Sequence, residues 1–331
     1  MDMYLFWLFI LGGAATFVLT VAIARRVIPI LKSKKMGQPI LEIGPRWHKS
    51  KEGTPTMGGI SFIAAMLIVS AAACVISALL GKIELLLPLL PTLGLALAGG
   101  LIGVVDDRAK LLKRQNEGLR AYQKFLLQLI AAALYLIVMR LCGWLETTLI
   151  IPYIGVELEL GAGYYVVALL LITGMINSVN LTDGIDGLAS SVTMVIGVFF
   201  AVLAFMWSEP SLGLWAALVI GSTLGFLVYN FYPARVFMGD TGSLFLGGLV
   251  VGGAFMLGAP LLVVVMGIVY IIETASVMLQ VAYFKLTHGK RIFKMTPIHH
   301  HFEMCGWSEI KIVTVFSLVT VLACALAYFG I

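Results

Sequence analysis

Charge is what this chain of 331 residues has least of. Only 12% of its residues are charged, whereas 60% are hydrophobic and the mean hydropathy is +1.03. An ordinary soluble domain carries about 25% charged residues, so that class is excluded and the chain reads as a polytopic membrane protein. The cysteines are few and scattered (Cys74, Cys142, Cys305, Cys324), with no C-x-x-C pair and no metal-ligand spacing, which excludes a disulfide scaffold. No G-x-x-x-x-G-K motif is present, so ATP hydrolysis has no support. No internal repeat is visible either. The first apolar run, Met3 to Ala24, has Asp2 before it and Arg25-Arg26 after it. That order is the reverse of a cleavable leader's, so the run is expected to stay, with its N-terminus outside.

What is there in abundance is apolar sequence in lengths that cross a bilayer. Beyond the first run, spans are expected at about 58–80, 86–105, 119–141, 163–179, 188–207, 212–229, 243–258, 260–283 and 311–330. The expectation is therefore one all-α integral membrane domain over residues 1–331, with about ten transmembrane helices and both termini outside. The inner segments become roughly 25–57, 106–118, 180–187, 230–242 and 284–310. Every lysine and arginine except Lys82 and Arg140 falls in these segments or at the span ends touching them. The net charge of +5 thus reports membrane orientation rather than a nucleic-acid partner. The one longer outer segment contains Ile151-Pro-Tyr-Ile-Gly-Val-Glu-Leu-Glu-Leu160, whose alternation predicts a small β-hairpin near 150–160.

Acids sort with this topology. Asp106, Asp107, Asp183, Asp186 and Asp240 all fall at the inner mouth, where charged groups are costly unless they face water, protein or a ligand. Asn177, Asn180, Asp183 and Asp186 recur every third position, a spacing that gathers them on one polar edge of a helical turn. Hairpin capping is the bland alternative. In Asp106-Asp-Arg-Ala-Lys110, adjacent carboxylates suit a proton acceptor and the lysine suits a phosphate; an interfacial helix end would look similar. Asn230 to Ser243 sets an amide, Phe237 and Asp240 between glycines ahead of hydroxyls that open the next helix. This pattern favours anions at the helix start and Mg²⁺ at the acid. His299-His300-His301 is the one histidine cluster, but three consecutive imidazoles splay apart and do not build a zinc tetrahedron. Imidazoles beside a phosphate would be hydrogen-bond donors. Glu273, inside the ninth span, reads as a polar contact within the bundle. Aspartates for a divalent cation, lysines and histidines for phosphates, and an aromatic ring for stacking together match phosphoryl transfer.

Five motifs carry a resemblance: Gly53-Thr-Pro-Thr-Met-Gly-Gly59, Asp106-Asp-x-x-Lys110, Asn180-Leu-Thr-Asp-Gly-x-Asp-Gly187, Phe237-Met-Gly-Asp-Thr-Gly-Ser243 and Pro297-Ile-His-His-His-Phe-Glu303. In this order, and nearly end to end, the chain resembles the phospho-N-acetylmuramoyl-pentapeptide transferase family of bacterial peptidoglycan synthesis. The resemblance implies transfer of phospho-MurNAc-pentapeptide from UDP-MurNAc-pentapeptide to undecaprenyl phosphate, giving lipid I and UMP. It further implies Mg²⁺ dependence, a multi-pass place in the bacterial cell membrane and an active site on the cytoplasmic side. A homodimer is one assembly it allows. By the same resemblance Asp240 and Asp183 would hold Mg²⁺, and Asp106 would activate the lipid phosphate, unless the reaction runs in two steps through a covalent intermediate. Asp107, Asp183, Lys110 and His300 would join Asp106 in the catalytic set. Lys124, His299 and His301 would bind phosphates, and Gly184, Ile185, Asp186 and Phe237 would form the uracil pocket. Asn180, Asn230, Thr56 and Lys51 would complete the site, with Lys49 as an alternative to Lys51. Two other functions remain open: a polyprenyl-phosphate transferase accepting UDP-GlcNAc, and an ion-coupled transporter. The His-His-His-Phe-Glu run speaks against the first, and the gathering of acids at one face speaks against the second.

Overall fold

The computed structural model describes residues 3–34, 51, 53–113 and 118–330. Among them are 10 helices long and apolar enough to cross a membrane. These are α1 (Met3–Ser33), α2 (Ile60–Leu79), α3 (Leu89–Lys113), α4 (Ala121–Leu141), α5 (Gly163–Thr182), α6 (Leu188–Trp207), α7 (Pro210–Asn230), α8 (Gly239–Met256), α10 (Ile268–Leu286) and α12 (Glu309–Tyr328). Two short helices, α9 (Leu262–Met266) and α11 (Ile298–Met304), complete the set. The expected hairpin is there: β1 (Thr148–Ile151) pairs antiparallel with β2 (Val156–Glu159), Thr148 opposite Glu159 and Ile151 opposite Val156.

Several boundaries differ from the hydrophobic runs, each for a local reason. The run at 260–283 is two helices, because α9 ends at Gly267 and α10 begins beyond it. α3 continues through Asp106 and Asp107 to Lys113, since the charges pair along the helix: Lys110 Nζ lies 2.7 Å from Asp106 Oδ2, one turn away. α8 starts at Gly239 rather than at residue 243, so Asp240 belongs to a helix end and not to a loop. α1 runs past Arg25 and Arg26, and past Pro29, to Ser33.

α8 is the axis of the bundle. Its apolar window is 83% buried, against 17% for α1, which faces outward. Its sequence explains the burial: glycines at 239, 242, 247, 248, 252 and 253 let neighbouring backbones come close, the main source of helix association where lipid removes the hydrophobic drive. Ile176 of α5 lies against Gly247, Ala96 of α3 against Gly248 and Trp215 of α7 against Gly253. α3 makes the closest crossing. A side-chain carbon at Gly103 would run into the carbonyl of Asp240, so this contact sets the distance between the α3 carboxylates and the α8 start.

Gly103→Ala is expected to force the two helices apart and lower stability by about 1–3 kcal/mol, the usual cost of overpacking. Gly94→Ala on the same helix, where a Cβ meets nothing within 4 Å, should leave it unchanged or raise it. Thermal unfolding of both variants in detergent checks the pair, and equal midpoints would contradict the crossing.

Candidate active site

Asp240 sits in the first turn of α8, where free peptide N–H groups favour negative charge. Its Oδ2 receives two ammonium groups, Lys110 Nζ from α3 and Lys124 Nζ from α4, each at 2.8 Å. Its Oδ1 accepts from Asn180 Nδ2 of α5 at 2.8 Å. Asn180 also donates to Ser243 Oγ at 2.7 Å, and its carbonyl oxygen accepts from Lys124 at 3.1 Å. Four helices therefore meet on one carboxylate. A buried charge needs this pairing, and each member would be left exposed to a large desolvation cost without the others.

The adjacent aspartates do different things. Asp107 is fully buried and caps α8 from the side: its oxygens accept the N–H groups of Asp240 (3.2 Å) and Thr241 (2.9 Å) and the Thr241 hydroxyl (2.7 Å). Asp106 accepts the Leu119 N–H at 2.8 Å through Oδ1 and pairs with Lys110 through Oδ2. Gly239, at φ +71, makes the turn into α8. A Cβ there would come 2.5 Å from Asp107 Oδ2 and 2.7 Å from Thr56 Oγ1. The 53–59 segment clasps the same turn through its backbone, Phe237 N–H to Pro55 O and Gly58 N–H to Phe237 O, both 2.8 Å. That clasp fixes the backbone at Phe237.

A cavity of about 240 Å³ opens here, lined by Lys51, Thr56, Lys110, Asn180, Asp183, Gly184, Ile185, Asp186, Asn230, Phe237, Gly239 and Asp240. A larger groove of about 610 Å³ lies between α1, α6 and α7, but its walls carry no titratable group and it is remote from this chemistry. Asp183, just past the end of α5, is held well above the usual carboxylate range by its enclosure and by the nearby charges of Asp240, Asp107 and Asp186. Lys51 stands at the other end. Burial alone would depress it, but hydrogen bonds to Asp186 Oδ1 and Glu309 Oε2, both 2.7 Å, outweigh burial and hold it above its usual value. Lys49, its alternative, lies outside the described residues.

The donors fit a divalent cation of the hard, oxygen-seeking kind. Asp106, Asp107 and Asp240 each offer an oxygen within 4.8 Å of the others. The oxygens of Asp107 and of Asp240 all have protein partners, those of Asp107 being backbone N–H groups and the Thr241 hydroxyl of α8 and those of Asp240 side chains, and Asp183 lies outside that trio while facing the same cavity.

Two expectations need correction. The polar edge of Asn177, Asn180, Asp183 and Asp186 forms only in part: Asn180, Asp183 and Asp186 all line the cavity, but not along one helix, because α5 ends at Thr182 and the chain then turns through Gly184 to Gly187 at φ +77. Asn177 instead pairs with Gln128 of α4 at 2.6 Å, Asn180 reaches Asp240, and Asp186 turns away to Lys51 and to the Ala234 N–H at 2.8 Å. The three histidines do not line the cavity as a group. His299 is buried with Nδ1 3.0 Å from Glu273 Oε2, its Nε2 edge lying against Gly184. His300 pairs with Glu303 at 2.6 Å, and His301 accepts the Lys294 N–H at 3.1 Å. Glu273 is the bundle contact expected of it. No motif singles out Glu309; its one sequence signal is an acid in the first turn of a span, as with Asp240.

Asp107→Asn is expected to cost about 1–2 kcal/mol, because its amide would turn a donor toward the α8 N–H groups and remove the charge that favours them. The thermal midpoint in detergent should drop, and an unchanged midpoint would reject the capping role.

The family model for glycosyl transferase family 4 matches residues 89–259, and a phospho-N-acetylmuramoyl-pentapeptide-transferase signature matches residues 51–63. Curated proteins named phospho-N-acetylmuramoyl-pentapeptide-transferase are similar over nearly the full length. The one from Clostridium acetobutylicum is 45% identical over 92% of this chain and 93% of its own. The Clostridium novyi protein is 41% identical over 98% and 97%, and the Staphylococcus aureus protein 43% over 90% and 92%. With a carboxylate cup at one end of a ten-span bundle and likeness of this extent, the chain belongs to the phospho-N-acetylmuramoyl-pentapeptide-transferase family, within glycosyl transferase family 4.

Proposed function

We propose that this membrane transferase moves phospho-MurNAc-pentapeptide from UDP-MurNAc-pentapeptide to undecaprenyl phosphate, releasing UMP and forming lipid I. The reaction would depend on Mg²⁺ and run at the cytoplasmic face of the bacterial cell membrane, with both termini outside. The observation that carries this reading is the meeting of Asp240, Lys110, Lys124 and Asn180 from four helices at one end of the bundle. A lipid phosphate stays at the interface, so its reaction partner must be built where spans end.

In this reaction an oxygen of the lipid phosphate attacks the phosphorus that bears the sugar, and the bond to the UMP oxygen breaks. Lys110 and Lys124 supply positive charge where the diphosphate charge develops. Asp240 and Asp183 would hold Mg²⁺, which when bound neutralises phosphate charge and polarises the phosphoryl group. Asp106 takes the proton of the lipid phosphate or steers it through Lys110, while Asp107 acts behind the site by fixing the α8 start. Phe237, Gly184, Ile185 and Asp186 take the uracil, with Asn230 holding that loop through the Gly187 N–H at 3.2 Å. His299 presents its edge at Gly184, and His300 and His301 flank it from α11.

Asp240→Asn is expected to lower UMP release at least about 100-fold at any Mg²⁺ concentration, in line with loss of a central electrostatic group. Purified protein with labelled donor, with and without undecaprenyl phosphate and Mg²⁺, tests it. Near-normal turnover rejects the metal assignment, and product from UDP-GlcNAc alone rejects the donor. Asp183 gives a pH prediction. Its carboxyl holds a proton well above the usual range, so a cation must displace that proton. Apparent Mg²⁺ affinity should weaken as pH falls through the Asp183 titration, with protons released on binding. Calorimetry in buffers of different ionisation heat measures that release, and Asp183→Asn should remove it.

A further inference from the structure

The last span reaches the site through a contact that no step above uses. Glu309 is the first residue of α12, next to Ser308, whose hydroxyl accepts the Lys311 N–H at 3.3 Å. Its side chain is buried, at 7% exposure. One oxygen, Oε2, accepts both Lys51 Nζ at 2.7 Å and the Asp186 peptide N–H at 3.0 Å. Asp186 returns the connection: its Oδ1 takes Lys51 at 2.7 Å and its Oδ2 takes the Ala234 N–H at 2.8 Å. Lys51 and Asp186 line the 240 Å³ cavity, whereas Glu309 does not. It lines a separate cleft of about 380 Å³ with Tyr232, Glu303 and Trp307.

We propose that Glu309 is a positioning residue of the nucleoside end of the donor site, holding Lys51 and the Gly184–Asp186 wall in place from behind. The inference rests on the transferase reading above and deepens it. Three segments far apart in sequence, around Lys51, Asp186 and Glu309, are joined here by charge-assisted hydrogen bonds, the stronger and more directional kind. Without the Glu309 carboxylate, the Asp186 N–H loses its acceptor and Lys51 keeps one anchor instead of two. The wall must then be ordered by the ligand, and that ordering is taken from binding energy. Contacts to the nucleoside are made alike in the ground and transition states, so their loss raises KM and leaves kcat.

Steady-state kinetics of the full-length purified chain test this, with titration of UMP as a second readout. Glu309→Gln keeps the shape and an oxygen for the Asp186 N–H but removes the charge facing Lys51. Donor KM and the Kd of UMP should both rise about tenfold, the factor equivalent to about 1.4 kcal/mol. kcat should stay within about twofold, and the KM for undecaprenyl phosphate should not move. Glu309→Asp preserves the charge at the helix start but withdraws it by one methylene. It should show the same split to a smaller degree, and it carries the test if the glutamine variant does not fold. Parent-like donor KM and UMP affinity overturn the inference, as does a loss of kcat, or a rise of donor and acceptor KM together. If the parent chain itself binds UMP but releases none from the donor, the transferase reading falls while the UMP titration still judges Glu309. A parent that neither binds nor releases UMP overturns both.

Discussion

One oxygen of Asp240 carries two ammonium groups, and the rest of the site depends on that arrangement. A carboxylate at the start of the most buried span cannot stay charged without partners, and lysines at the ends of α3 and α4 cannot sit at the rim of an apolar bundle without an anion. Each makes the other affordable. The carboxylate thereby holds both ammonium groups at the wall of the cavity, where under the proposed reaction they would meet a diphosphate.

The arrangement is possible because of packing deeper in the bundle. Glycines along α8 and at 99 and 103 on α3 allow backbones to approach until the Asp240 carbonyl faces Gly103. That approach delivers Asp107 to the first turn of α8 and Asp106 to Lys110. Adjacent acids in the sequence thus serve different ends, since successive residues on a helix point about 100° apart. One side of the turn faces the α8 start and supports it; the other faces Lys110.

Around Lys51 and Phe237, the same logic is built from loops. The 53–59 segment pairs with the backbone around Phe237, and Lys51 is held between two carboxylates from opposite ends of the chain. Lys110 and Lys124 are held by helices, whereas Lys51, Asp186 and Phe237 are held by turns and loops. Rigid span ends suit the step that needs fixed charges, while the turns suit recognition, where backbone groups must come close.

Membrane class, ten spans, the small hairpin and the gathering of Asp106, Asp183, Asp186 and Asp240 at span ends are legible in the chain without coordinates. Hydropathy and charge placement are properties of composition along the chain, and they survive folding. The family resemblance of its motifs names nearly every residue that lines the cavity. Only the tertiary structure decided how those residues divide the work. The three-residue period from Asn177 to Asp186 held no information about where α5 ends, so the edge it suggested is split among three different partners. Asp107 as a cap, His299 against Glu273, and Glu309 behind Lys51 are contacts between segments more than 25 residues apart. No local pattern encodes them, because each exists only once helix packing has brought the two segments to the same place.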